Sequence, residues 1–204
     1  NRLLQVAANV RGRVTAIAVD LGESVRSGAP LLELESVDLG RAREEFLREA
    51  SALRVATRSH ERAKALVAAK AISEGEFQAR EGEYFSRRAA AQAAERALHL
   101  YGEDDHEIER LRQAVEQNGA LPSGDPPHLT LRAPFAGRVI DRKVTPGSLV
   151  EALQPLLTLG DLSTVWVIAK VPAAQAAGIK VGQPGRFETV ALPGQVALGE
   201  VTFV

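Results

Sequence analysis

A chain of 204 residues with 45% apolar and 25% charged side chains can bury a core, which excludes global disorder. A net charge of −1 gives no bulk electrostatic case for a nucleic-acid partner, and the absence of cysteine removes disulfides, thiolate nucleophiles and cysteine metal sites. No apolar run approaches the roughly 20 residues of a membrane-spanning helix, and Asn1, with no initiator methionine or signal peptide before it, reads as the start of a mature or trimmed chain.

Residues 1–9 hold a short apolar stretch, Leu3 to Ala8, expected to form a strand that leads into the repeat that follows or belongs to another domain. A compact motif follows over residues 10–36: Gly12-Arg13-Val14, then Gly22, Val25, Pro30-Leu31-Leu32 and Leu34. Short β-prone runs separated by glycine predict a small β-meander. The same residues recur 125 positions later as Gly137-Arg138-Val139, Gly147, Val150, Pro155-Leu156-Leu157 and Leu159. That many matches at one offset predict two halves of one pseudo-symmetric sandwich, because neither half can bury its apolar face alone. Gly12, Gly22, Gly137 and Gly147 are expected at its structural turns.

Ser36 offers an N-cap, and a helical region is expected over 37–120. Leu39, Phe46, Leu53, His60 and Val67 recur every seven residues, with Ala42, Ala56 and Ala63 three residues further on in most heptads. This is a coiled-coil-like seam on a helix on the order of 50 Å long. The pattern breaks at Ala71-Ile72, and Ser73 with Glu76 has capping-box spacing, so a second helix starts there. Phe77, Tyr84, Ala91 and Leu98 continue the seam until Gly102. Two such helices joined by so short a turn form an antiparallel hairpin. A shorter amphipathic helix follows, with Ile108, Leu111 and Val115 on one face.

Residues 121–130, rich in proline and glycine, read as a linker, and residues 131–160 as the second half of the sandwich. From 161 to 204 an incomplete β-barrel is expected. Its parts are a strand over Thr164–Val171, a brief helix from Pro172 to Ile179, and glycine-punctuated strands that end inside Val201–Val204.

No nucleophile elbow, phosphate-binding loop, dinucleotide fingerprint or zinc-protease motif is present, so no enzyme activity, cofactor or metal site is expected. His60, His99, His106 and His128 lack ligand-like spacing, and His60 falls on the helical seam. Asp104, Asp105 and His106 lie together, but Asp104 with Glu107 fits a helix cap.

The two half-motifs resemble the lipoyl and biotinyl carrier fold. In the carriers a modified lysine sits at the hairpin joining the halves; here the matching run is Glu35-Ser36-Val37-Asp38, and an aspartate cannot form that amide link. A lipoyl-like unit split by a helical hairpin and followed by a β-barrel is similar to the periplasmic adaptor (membrane fusion protein) family of Gram-negative tripartite efflux pumps. Leu131 to Val139 looks like the family's return into the lipoyl unit, and Asp161 to Val167 like its entry into the barrel. At the hairpin tip the family carries an Arg-x3-Leu-x6-Ser pattern that engages the outer-membrane channel; Arg62, Leu66 and Ser73 match it. Leu98-His99-Leu100-Tyr101-Gly102 and the extra helix resemble the heavy-metal-efflux branch of the RND type.

The resemblance implies an elongated, multi-domain α+β protein: a split lipoyl-like β-sandwich, an inserted hairpin and a partial barrel. It implies a non-catalytic adaptor between an inner-membrane transporter and an outer-membrane channel, exporting divalent heavy-metal cations. Its setting would be the periplasm, attached to the inner membrane, and its assembly a hexamer. An adaptor of an ABC-type or drug-type exporter shares these motifs, and a carrier-like enzyme subunit would need the missing lysine.

Overall fold

The computed structural model describes residues 2–117, 127–164, 166–172, 178–188 and 196–204. They fall into two compact units, Asn1–Thr164 and Val165–Val204, each treated by itself.

The first unit is built on eight short strands. β1 (Arg2–Ala7), β2 (Gly12–Ile17), β3 (Ser24–Val25) and β4 (Pro30–Glu35) precede the helices; β5 (His128–Arg132), β6 (Gly137–Arg142), β7 (Leu149–Val150) and β8 (Pro155–Asp161) follow them. Two four-stranded sheets result, in the orders β1-β8-β6-β3 and β5-β4-β2-β7. Shifting each strand of the second sheet by 125 residues, in whichever direction the repeat requires, reproduces the first. Even the irregularities obey this rule, since the β2–β4 ladder slips between Val14 and Ala16 and the β6–β8 ladder between Val139 and Asp141.

Each sheet contains strands from both halves of the sequence. Gly22 N–H donates to Val139 O at 2.9 Å, and its twin Gly147 donates to Val14 O at 2.8 Å. The inward faces meet in one core, where Val14, Leu32, Leu34, Val139, Leu157 and Leu159 are buried. The repeat is longer than the sequence motif suggested. Of the two placements open to the stretch at 1–9, the structure shows the sandwich: β1 pairs with β8, as β5 pairs with β4.

Gly22 and Gly147 stand in turns with φ of +83° and +89°. Gly12 and Gly137 do not. They open strands β2 and β6, and a Cβ there would lie 2.4 Å from Glu35 O and 2.7 Å from Gly160 O. Close backbone approach, not a turn, requires glycine at those two positions.

Between β4 and β5 the chain runs through α1 (Val37–Ala68), α2 (Glu74–Tyr101) and α3 (Asp105–Glu116). The buried Ser36 side chain accepts from Leu39 N–H and starts α1; Gly102, at φ +95°, ends α2 in the left-handed conformation. Contacts run in descending register, with Arg43 at Glu103, Arg87 at Glu49 and Ser59 at Arg80, so α1 and α2 form an antiparallel hairpin. The seam grades from Leu39, Phe46 and Leu98, fully covered at the root, to Leu53, His60, Phe77 and Tyr84, half-buried farther out. The gradient has a simple cause: a two-helix ribbon has one partner per helix, and only the root gains a third.

That third partner is α3, which buries Ile108, Leu111 and Val115. Arg54 of α1 caps its C-terminus, donating to Val115 O at 2.6 Å and Glu116 O at 3.1 Å. Arg112 ties it to Glu95 of α2 at 2.8 Å.

Strand β5 begins at His128, inside the stretch read as linker; the rest of that stretch, up to 126, lies outside the described residues. In the second unit, β9 (Pro184–Glu188) and β10 (Val196–Glu200) form an antiparallel hairpin. The strand expected over Thr164–Val171 is not formed among its described residues, and Trp166 and Ile168 are exposed. Propensity supplies a preference for extended backbone, but a strand also needs a hydrogen-bonding edge, and neither described strand of this unit pairs with it. Residues 201–204 are likewise not a strand. Most of the helix expected from Pro172 to Ile179 lies outside the described residues.

Candidate functional site: the hairpin tip

The tip is a five-residue connection whose backbone is tied at both ends. Helix α1 closes when Lys70 N–H donates to Val67 O at 2.9 Å and Ala71 N–H to Leu66 O at 2.8 Å. These are the two bonds of a Schellman motif. Helix α2 opens on a full capping box: Glu76 N–H donates to Ser73 Oγ at 3.2 Å, and Ser73 N–H donates to Glu76 Oε2 at 3.3 Å.

This places the three residues singled out in the sequence at one end of the hairpin, all exposed. Arg62 and Leu66 are four residues apart, hence on one face of α1. Leu66 leaves 44% of its surface in solvent, a large apolar side chain only partly covered by this unit. Ser73 lies across the turn; its hydroxyl accepts from Glu76 N–H, donates to Glu76 Oε2 at 3.4 Å and keeps one lone pair to offer. The set can give one cationic, one apolar and one polar contact to an opposing surface.

One turn below, His60 stacks between Phe77 and Tyr84, with ring centroids 5.6 and 5.0 Å away. Its Nε2 is buried without a hydrogen-bond partner and lies 3.9 Å from Glu81. The imidazole is therefore a seam residue of the hairpin, as its heptad position implied.

At the other end of the hairpin, Asp38 stands in the first turn of α1. Arg11 Nε donates to Asp38 Oδ2 at 2.8 Å, and this bond holds the carboxyl below the usual carboxylate range. Asp38 thus anchors the root and offers no attachment point for a carried group. Asp104 caps α3 by accepting from Glu107 N–H at 2.8 Å. Among the described residues no three histidine, aspartate or glutamate side chains are placed to hold a metal ion, and no helix is long and apolar enough to cross a membrane.

Sequence reasoning missed three charged residues. Arg43 and Glu103 form a buried ion pair at the root, 60 positions apart, for which no spacing rule exists. Lys70 occupies the left-handed position of the tip turn with φ +57°. The signal for Lys70 was present: no glycine lies between Gly40 and Gly75, so the helix had to end on another residue.

Comparison with known proteins agrees with this geometry. Residues 2–161 match the model of the CzcB-like barrel-sandwich hybrid domain, and residues 164–204 that of the CusB-like β-barrel domain. The chain is 27% identical over 184 residues to the cation efflux system protein CzcB of Alcaligenes sp. strain CT14, covering 90% of this chain and 32% of that protein. Against the cobalt-zinc-cadmium resistance protein CzcB of Cupriavidus metallidurans the identity is 26%, with the same coverage. It therefore spans about a third of the length of these curated relatives. The crystal structure of ZneB from Cupriavidus metallidurans shares the fold, with a TM-score of 0.54 at 24% identity over 98% of this chain and 77% of that one. The chain belongs to the family of CzcB-like barrel-sandwich hybrid domains.

Proposed function

We propose that this member of the CzcB-like family is the hairpin-bearing part of a non-catalytic periplasmic adaptor, joining an inner-membrane RND-type transporter to an outer-membrane channel. The observation that carries the reading is the inserted hairpin itself. Helices of 32 and 28 residues leave and re-enter a rigid sandwich and end in a tip that exposes Arg62, Leu66 and Ser73. An enzyme needs a concave, water-excluding site; this tip is convex and suited to docking. The division of labour follows: the tip docks the channel, the sandwich packs against copies of itself in a hexameric ring, and residues 161–204 contribute to a β-barrel facing the pump. The full protein works in the periplasm, attached to the inner membrane.

The exported substrate in this reading is a divalent heavy-metal cation. Its support is the likeness to a protein named for cobalt, zinc and cadmium resistance. The adaptor role is tested by capture of purified outer-membrane channels on immobilised adaptor, comparing wild type with Arg62→Asp and Ser73→Arg. Capture by wild type that both substitutions abolish, with helical circular dichroism intact, is the expected result. Failure of the folded wild type to capture any channel would refute the docking role.

A further inference from the structure

The turn that closes the hairpin adopts a backbone conformation its sequence does not favour. Lys70 has φ +57°, at the position just past a helix where glycine is the usual residue because a Cβ is strained there. Two backbone hydrogen bonds of 2.9 and 2.8 Å fix that conformation, so the lysine Cα is held rigidly at the apex. Its side chain is exposed.

The charges around it sharpen the point. Near the apex, Arg62, Lys64 and Lys70 have no ion-pair partner among the described residues. The acids of the turn are otherwise accounted for, since Glu74 and Glu76 lie in the first turn of α2, where the helix dipole favours them, and Glu76 completes the capping box. The negative end of the α1 dipole also favours a cation nearby. What sets position 70 apart from Leu153, the other non-glycine residue at positive φ among the described residues, is its charge and its place at the apex of the hairpin, where backbone strain points to use of the side chain.

We infer that Lys70 is a specificity residue of the tip, its ammonium pairing with a carboxylate on the opposing tip of the outer-membrane partner. The inference rests on the docking role proposed above and adds a fourth residue to Arg62, Leu66 and Ser73. Because the turn is already rigid, the pair forms without ordering the backbone that presents it.

The test is the affinity of the full-length adaptor for a purified outer-membrane channel in detergent micelles, at several salt concentrations. Lys70→Gly and Lys70→Asn both suit the left-handed conformation and remove the charge; Lys70→Arg keeps it. Glycine and asparagine are expected to weaken binding about tenfold and flatten its salt dependence, while arginine stays within about twofold of wild type. Glycine is also expected to raise the melting temperature. Binding lost in Arg62→Asp but unchanged in Lys70→Gly overturns this inference alone. Weakened binding with an unaltered salt dependence overturns the ion pair. A lower melting temperature in Lys70→Gly with unchanged binding assigns the lysine to the helix dipole and overturns it too. No binding by wild type overturns the docking role and this inference together.

Discussion

The guanidinium of Arg43 and the carboxylate of Glu103 meet in a two-pronged ion pair at the root of the hairpin, Nε to Oε2 at 2.7 Å and Nη2 to Oε1 at 3.0 Å. The Glu103 side chain is 5% exposed and that of Arg43 19%. Arg43 also donates to His128 O at 3.2 Å, so one side chain joins α1, the α2–α3 junction and β5. A hairpin that transmits force or position to the sandwich must be held at such a point.

Removing one partner leaves a charge in a poor environment. Glu103→Ala is expected to cost about 3 kcal/mol, because the remaining Arg43 is largely buried. Arg48→Ala, which removes an exposed guanidinium paired with Glu45 and Glu49, is expected to cost under about 1 kcal/mol. Urea denaturation of both variants checks the contrast.

The internal repeat supplies its own control for backbone strain. Leu153 has φ +62° and is 73% exposed, while its twin 125 residues earlier is Gly28, at φ +80°. Leu153→Gly is expected to stabilise the sandwich by about 0.5–1 kcal/mol, the left-handed penalty less the entropy cost of glycine. The reverse change, Gly28→Leu, adds a Cβ with no atom within 4 Å and should destabilise chiefly through its backbone, by about 1 kcal/mol. Thermal melts of the two variants should move in opposite directions.

The Arg11–Asp38 pair gives a pH dependence of known sign. The Arg11 hydrogen bond, opposed by burial and aided by the Arg11 and Arg41 charges, lowers the Asp38 pKa. A carboxyl lowered on folding contributes stability above its unfolded pKa and loses it as pH falls through the folded value. Arg11→Ala is therefore expected to move the Asp38 titration upward, toward an ordinary carboxylate. Carbon-detected NMR titration of the side-chain carboxyl reads this directly.

Much of this architecture was legible in the chain itself. The 125-residue offset announced the sandwich because each copy needs the same inward residues: Val14 and Val139, or Leu34 and Leu159, are buried as twins. The Ser73–Glu76 box is local chemistry, so three residues of sequence sufficed to place the start of α2. What could not be read depends on partners far along the chain. β1 carries no glycine of the motif, and its place in the sheet is set by Leu157 and Leu159 more than 150 residues later. Arg43 is one of many arginines on a charged helix until folding brings Glu103 to it. The stretch from Thr164 to Val171 has the composition of a strand, yet propensity cannot tell whether an edge is there to receive it. The exposed tip trio was found by pattern; its use in docking is a matter for experiment.

Ser73 can serve the fold and a partner at once, and two substitutions separate the roles. Ser73→Ala removes the cap and is expected to cost about 1 kcal/mol, whereas Ser73→Asp keeps it. Under the docking account Ser73→Asp still weakens channel capture, because it replaces a neutral contact by a charge at the tip. Melting temperature and capture, measured on the same two proteins, distinguish cap from contact.

The chain has no cysteine, so one introduced thiol gives an unambiguous crosslinking site. The most direct measurement places a bifunctional thiol–amine crosslinker on Leu66→Cys at the tip and on Leu149→Cys of the sandwich, in cells bearing the assembled pump. The adaptor account predicts a covalent product with the outer-membrane channel from position 66 and none from position 149. Channel crosslinks from position 149 with none from position 66 would contradict it.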